Sequence, residues 1–278
     1  MIGNVVHAQF LTANDWPFGA ALSMVLLILG GVFAFLYIPI SVLVALSFND
    51  GGLPTAWTRF SFKWYGELLR NADILQAGLN TLIVALVSSA LATILGSLLA
   101  IGIETRRRRG RALEALIFAP MIIPDIVLAI ALLSFFSLLK LPMGLHTIIV
   151  AHVVFNLAFV CAVVRARLKS FDWSIVEASA DLGASAATSY RRIVLPVLAP
   201  AIIAGALLAF TLSVDEFIIA FFTAGAGRGS TTLPMQIYAM IRFGVTPEIN
   251  ALATIVIAVS VTALALAQRL NKGSLPGQ

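Results

Sequence analysis

The chain has 278 residues, of which 60% are hydrophobic and 11% charged, with a mean hydropathy of +1.00. These values exclude an ordinary soluble domain and predict an all-α polytopic membrane protein with room for about six spans of roughly 20 to 25 residues. The net charge of +5 is accounted for by basic residues placed where a cytoplasmic membrane face needs them rather than by a nucleic-acid partner, and the single Cys161 excludes an internal disulfide or a cysteine-rich metal site.

The tail, 1–17, has no Lys or Arg and so lacks the basic start of a signal peptide. The membrane domain is therefore expected to occupy 18–270. Its first span is read at 18–47, with Pro39 positioned to kink it. The polar stretch 48–73 follows on the outside, where Trp57, Trp64 and Tyr65 suit a membrane interface.

Spans two and three, at 74–103 and 113–139, are joined by a short connection carrying Arg106 to Arg109 and Arg111, which places it in the cytoplasm. A short outer turn containing Pro142 and Gly144 leads to span four at 147–167. A polar island at about 169–197 precedes span five at 197–224 and, after an outer loop, span six at 250–268; 271–278 is a C-terminal tail. Twelve of the 18 Lys and Arg residues then fall on the inside and six on the outside, which predicts both termini cytoplasmic. All spans should be helical, because an open strand would leave backbone groups unpaired in lipid. Gly96 and Ala100 in span two, and Ala201 through Gly205 and Ala209 in span five, are read as close helix contacts.

The polar island reads EASADLGASAATSYRRIVLPVLAP. Ser174 or Asp172 is placed to cap a short helix, and Glu177 lies near its positive end. Gly183 permits a turn, and Pro196 can pre-set the entry to the next helix. Three carboxylates fall at membrane depth: Asp125 after Pro124, where Pro120 and Pro124 can break the helical ladder, and Asp215 with Glu216 in TLSVDEFIIAFF. A charge at that depth costs several kcal/mol unless it faces a cavity or a partner. With no Lys or Arg at matching depth, the three suit the path of a cationic solute; hydrogen bonds to Asn80, Asn156, His152 or another subunit are the alternative.

No G-x-x-x-x-G-K-[ST] loop is present, so ATP hydrolysis by this chain is not expected. His7, His146 and His152 lie in separate segments and form no metal motif, and no G-x-S-x-G elbow marks a catalytic serine. Ser134 and Ser137 with His146 or His152 are the only hints of an intramembrane hydrolase.

The spacing Glu177-Ala178-Ser179, Gly183, Ile193, Pro196 resembles the EAA loop of type I ABC importer permeases, the MetI-like fold. FSFKWYGEL, IPDIVLAI, RLKSFD, FTLSVDEFIIAFF and LPMQIYAMIRFGVTPEINALATI extend the resemblance over 60–268, to the spermidine/putrescine, PotC/PotI-like branch. It implies six spans and a bacterial inner-membrane permease moving a small cationic solute, such as putrescine or spermidine, by alternating access. Implied partners are a second, related permease, two ATPase subunits that bind the ATP and Mg, a periplasmic solute-binding protein and the bilayer. Ser179 stands where the motif has its second Ala; Glu177, Ala178, Ser179, Asp181, Gly183, Ile193 and Pro196 are the expected coupling residues. Arg228 and Arg242 in the outer loop count against a uniformly acidic entrance, so another amine, an amino-acid-like solute or an organic acid is the alternative. An ion-coupled secondary transporter is the rival from another class, although it has no use for an ATPase-docking loop.

Overall fold

The computed structural model describes residues 16–52, 56–105, 111–242 and 244–272. Arg106 to Arg109 and the greater part of both tails lie outside the described residues. In order, the chain forms α1 (Trp16–Leu46), α2 (Lys63–Leu68), α3 (Ala72–Thr105), α4 (Arg111–Ile122), α5 (Asp125–Leu138), α6 (Leu145–Leu168), α7 (Ser174–Asp181), α8 (Ala186–Ser189), a π-helical segment Tyr190–Val194, α9 (Leu195–Asp215), α10 (Ile218–Thr223), a 3-10 turn Arg228–Ser230, α11 (Leu233–Arg242) and α12 (Pro247–Lys272). The elements divide into two compact units, Met1–Arg70 with Ile241–Gln278, and Asn71–Met240.

In the first unit α1 continues through Pro39, with apolar side chains exposed all round, Leu27 at 76% and Phe35 at 79%. Such a helix requires lipid or another chain around it. Both α1 and α2 pack on α12. The link between α1 and α2 is organised by Asn49. Its Nδ2 donates to Ala56 O at 2.7 Å, its Oδ1 accepts from Thr58 N at 2.8 Å, and its carbonyl accepts from Trp64 Nε1 at 2.7 Å. Phe48, Phe60, Phe62 and Tyr65 stack alongside. The interfacial aromatics expected here are thus partly structural, since Trp64 spends its N–H on the loop itself.

The second unit is built on α3, α6 and α9, which pack on one another. Gly96 and Gly205 both face Val160, so the backbones of α3 and α9 close onto α6 from two sides. Ala100 and Ala209 are fully buried beside them, but Ile203 and Ala204 are exposed, so the close contact uses Gly205 and Ala209 rather than the whole 201–205 run. At one end of this bundle Arg165 on α6 pairs with Glu104 on α3, Nε to Oε2 at 3.6 Å, and with Glu114 on α4. Its positive charge, counted above towards the cytoplasmic surplus, is therefore compensated by carboxylates from two converging helix ends.

Two spans depart from expectation. The third, read as one span over 113–139 that its prolines could interrupt, is broken at Ile123 and Pro124, and α4 and α5 meet at a 117° bend. Pro124 lacks an N–H and starts α5 from extended backbone (φ −55°, ψ 137°), which is how a proline ends one helix and pre-sets another. The fifth, read as 197–224, begins earlier, running unbroken from Ala186 to Asp215, and ends at Glu216. Among the described residues four helices are long and apolar enough to cross a membrane, or five with the bent pair as one span; the apolar part of α12, Pro247–Val259, is shorter. The chain is a multi-pass, all-helical membrane protein.

Candidate functional site

The polar island folds as a helix, a reversed turn and a second helix start. Asp172, not Ser174, satisfies the beginning of α7: its Oδ1 accepts from Ser174 N at 3.0 Å. The bond from the Ser174 hydroxyl, with that from its amide, holds the Asp172 carboxyl below the usual aspartate range. Glu177 sits in the first turn, where the helix dipole favours an acid. At the other end Gly183 has φ +83°, its N–H bonds Ala180 O at 2.8 Å, and Ala184 N bonds Ser179 O at 3.0 Å. That pair of bonds is a Schellman cap, and the positive φ suits glycine alone without strain. Ser185 then caps α8, accepting from Thr188 N.

One side of the loop is anchored by Phe171, Trp173 and Val176, which pack on the core around Val164 and Leu198. The opposite side is free: Glu177, Ala178 and Asp181 are exposed, Ile175 is 48% exposed and Leu182 is 89% exposed. Ser179 points inward, its hydroxyl 2.6 Å from that of Ser189, tying α7 to the segment that enters the membrane. Ile193 is half-buried in the π segment, whose widened turn is closed by Leu195 N on Tyr190 O. Pro196 is exposed in the first turn of α9, so it continues an existing helix instead of opening one. Arg191 and Arg192, with Ala187 and Thr188, line a cavity of ≈ 380 Å³ on this loop.

The three carboxylates separate in environment. Asp125 is the first residue of α5 and is exposed. Asp215 closes α9, also exposed, while Glu216 turns inward from extended backbone (φ −70°, ψ 118°) with its side chain 7% exposed. Glu216 Oε2 accepts from Ala220 N at 3.0 Å and lies 3.7 Å from His152 Nε2. His152 Nδ1 is 2.6 Å from Ser213 Oγ, which is 3.1 Å from Ser88 Oγ. A polar chain thus runs from α3 through α9 and α6 to the break before α10.

Of the alternative partners, His152 alone reaches a carboxylate. Asn80 donates instead to Gly229 O and Thr231 O, fastening the outer turn, and neither amide atom of buried Asn156 is hydrogen-bonded. Ser213 and Ser88 were not legible as site residues. The available signal was the three-residue step from Ser213 to Glu216. Ser213, His152 and Glu216 have the composition of a hydrolytic triad, but Ser213 is 2% and His152 1% exposed, leaving a substrate no approach. Ser134 donates to Ile130 O within its own helix.

Residues 92–273 match the family model described as binding-protein-dependent transport system inner membrane component. The chain is 38% identical over 278 residues to the spermidine/putrescine transport system permease protein PotC of Escherichia coli (strain K12), covering 100% of this chain and 98% of that one. It is 40% identical over 242 residues to PotC of Haemophilus influenzae (87% and 93% covered) and 42% identical over 242 residues to the putrescine transport system permease protein PotI of Escherichia coli (strain K12) (84% and 85%). Among solved structures, a bacterial ABC transporter importing the acidic polysaccharide alginate superposes with TM-score 0.68 at 18% identity, covering 90% of this chain and 96% of that one. The MetNI methionine ABC transporter in an inward-facing conformation gives 0.60, also at 18% identity, over 73% and 96%.

Proposed function

The chain belongs to the family of binding-protein-dependent transport system inner membrane components, and on that premise we propose that it is the permease subunit of an ATP-driven importer of polyamines such as putrescine or spermidine. It sits in the bacterial inner membrane with six spans and both termini in the cytoplasm: the four long helices, the bent α4–α5 pair and α12. It works beside a second, related permease, two ATPase subunits that bind ATP and Mg, and a periplasmic binding protein.

The observation that carries the coupling role is α7. A short helix packed on one side and exposing Leu182 and Ile175 beside Glu177 and Asp181 on the other is suited to docking on a soluble subunit. Gly183 fixes its exit, and the Ser179–Ser189 bond, with Ile193 and Pro196 beyond it, links its position to α9. ATP-driven movement of the docked subunits then shifts α9, and with it the solute path, through differential contacts in two states. Asp215, Glu216 and Asp125 supply the negative charge of that path, and no chemistry is performed by this chain.

The test is the ATPase activity of the complete complex in lipid, with its binding protein, against polyamines, other amines and neutral or acidic solutes. Stimulation by a polyamine, lost in Gly183→Asp while the complex still assembles, is expected. Stimulation only by an acidic or uncharged solute would keep the permease and remove the carboxylates from the path. Normal stimulation in Gly183→Asp would remove the coupling role.

A further inference from the structure

We infer that His152 switches tautomer with the charge of Glu216, so that a proton and the cationic solute compete for this carboxylate. The inference rests on the solute-path reading above and assigns its regulation.

Buried polar groups must be paired, and the chain Ser88–Ser213–His152–Glu216 can be paired in two directions. In the first, Ser88 donates to Ser213, Ser213 donates to Nδ1, and the Nε2–H of a neutral imidazole faces Glu216, which must then be a carboxylate. In the second, Glu216 is protonated and donates to Nε2, the imidazole carries its hydrogen on Nδ1 and donates to Ser213, and Ser213 donates to Ser88. The second state holds one proton more than the first, carried on Glu216, and the histidine changes tautomer without changing charge.

The surroundings discriminate between the states. Asp125 at the start of α5 is the acid close enough to act on Glu216, Ser88 is what α3 presents, and no Lys or Arg pairs with Glu216 among the described residues. With no cation beside it the pair can close on itself in the second state, Glu216 donating to Nε2. An ammonium group favours the carboxylate. His152 Nε2, 1% exposed and without a hydrogen bond at 3.7 Å from Glu216, is placed to follow either change. Solute entry and proton release are therefore linked, and by reciprocity acidification opposes uptake.

The test uses the complete transporter in proteoliposomes, with labelled putrescine and saturating binding protein, and reads initial uptake rate across a pH series: uptake falling on acidification in the parent but not in Glu216→Gln is expected, and the same pH profile in both would overturn the inference. Glu216→Gln is expected to lower the rate about tenfold or more, an effect that examines the path reading alone. His152→Leu is expected to cause a comparable loss, with no further loss when added to Glu216→Gln. His152→Gln, whose amide carries both a donor and an acceptor, restores the rate to within about threefold. Equal losses from His152→Leu in both backgrounds, or a Gln variant as poor as Leu, would show that the histidine serves packing and would overturn the inference. Wild-type uptake by Glu216→Gln would overturn the path reading first. Where Leu at 152 blocks assembly, Ser213→Ala removes the bond to Nδ1 and carries the same cycle.

Discussion

Replacing Gly96 by Ala tests how closely α3 and α6 are packed. A Cβ at position 96 would lie 2.9 Å from Val160 Cβ and 3.0 Å from the Leu157 carbonyl oxygen. Neither atom belongs to a rotatable side-chain end, so the backbones must separate. Overpacking of this kind costs about 1–3 kcal/mol, here towards the upper end, while Ala gains roughly 1 kcal/mol over Gly in helix propensity. The net is a loss of about 2 kcal/mol, or a fall of roughly 4–8 °C in thermal midpoint. At Gly205 the nearest atom is Val160 Cγ1 at 3.3 Å, which can turn away. Gly205→Ala should therefore leave the midpoint within about 2 °C of the parent, because the two effects nearly cancel. Thermal unfolding of the purified complex in lipid measures both. Adding Val160→Ala removes Cγ1 but leaves Cβ, so it relieves residual strain at 205 and does not rescue 96. An unchanged midpoint for Gly96→Ala, or full rescue by Val160→Ala, would refute the contact as described.

Two further outcomes follow from charged groups at the loop ends. Arg165→Met leaves Glu104, 8% exposed, and Glu114 facing each other without the guanidinium between them, and should cost about 3 kcal/mol; adding Glu104→Gln should recover a large part of it, as read by thermal unfolding. Asp172 has a depressed folded pKa caused by the Ser174 hydroxyl and amide, so its support of α7 is fully present above the ordinary aspartate range near pH 4 and is lost as pH falls through the lower folded value. Amide exchange at 174–177 should accelerate through that window in the parent and be insensitive to it in Asp172→Asn.

The membrane character, the helix–turn–helix of the island and the close approach at Gly96 were legible because each depends on local rules. Composition dictates lipid burial, Gly183 answers a positive φ, and small residues permit contact. The ends of two spans were not legible. Pro120 and Pro124 announced a weak point in span three, but a 117° bend depends on where α5 packs, against α10 through Leu128, Ala129 and Ile219. The break after Asp215 has neither proline nor glycine and lies inside a continuous apolar run. Its sign was present in another form: Glu216 precedes IIAFF as a helix-starting acid and takes the N–H of Ala220, a role hidden when the residue is counted only as a charge at depth. The polar chain could not be found from spacing, since Ser88, His152 and Ser213 come from three distant helices.

The π segment at Tyr190–Val194 carries a consequence for alignment. A π turn holds one more residue than the α-helical turn it replaces, so it is equivalent to an insertion accommodated without a loop. Deleting a single residue there and restoring α geometry would rotate everything before it by about 100° about the helix axis relative to α9. The apolar register downstream would be untouched, and Leu182 and Glu177 would face a different direction. The bulge is thus a phase adjuster: it lets the lipid-facing and partner-facing halves of one continuous helix drift independently in sequence while their faces stay in step.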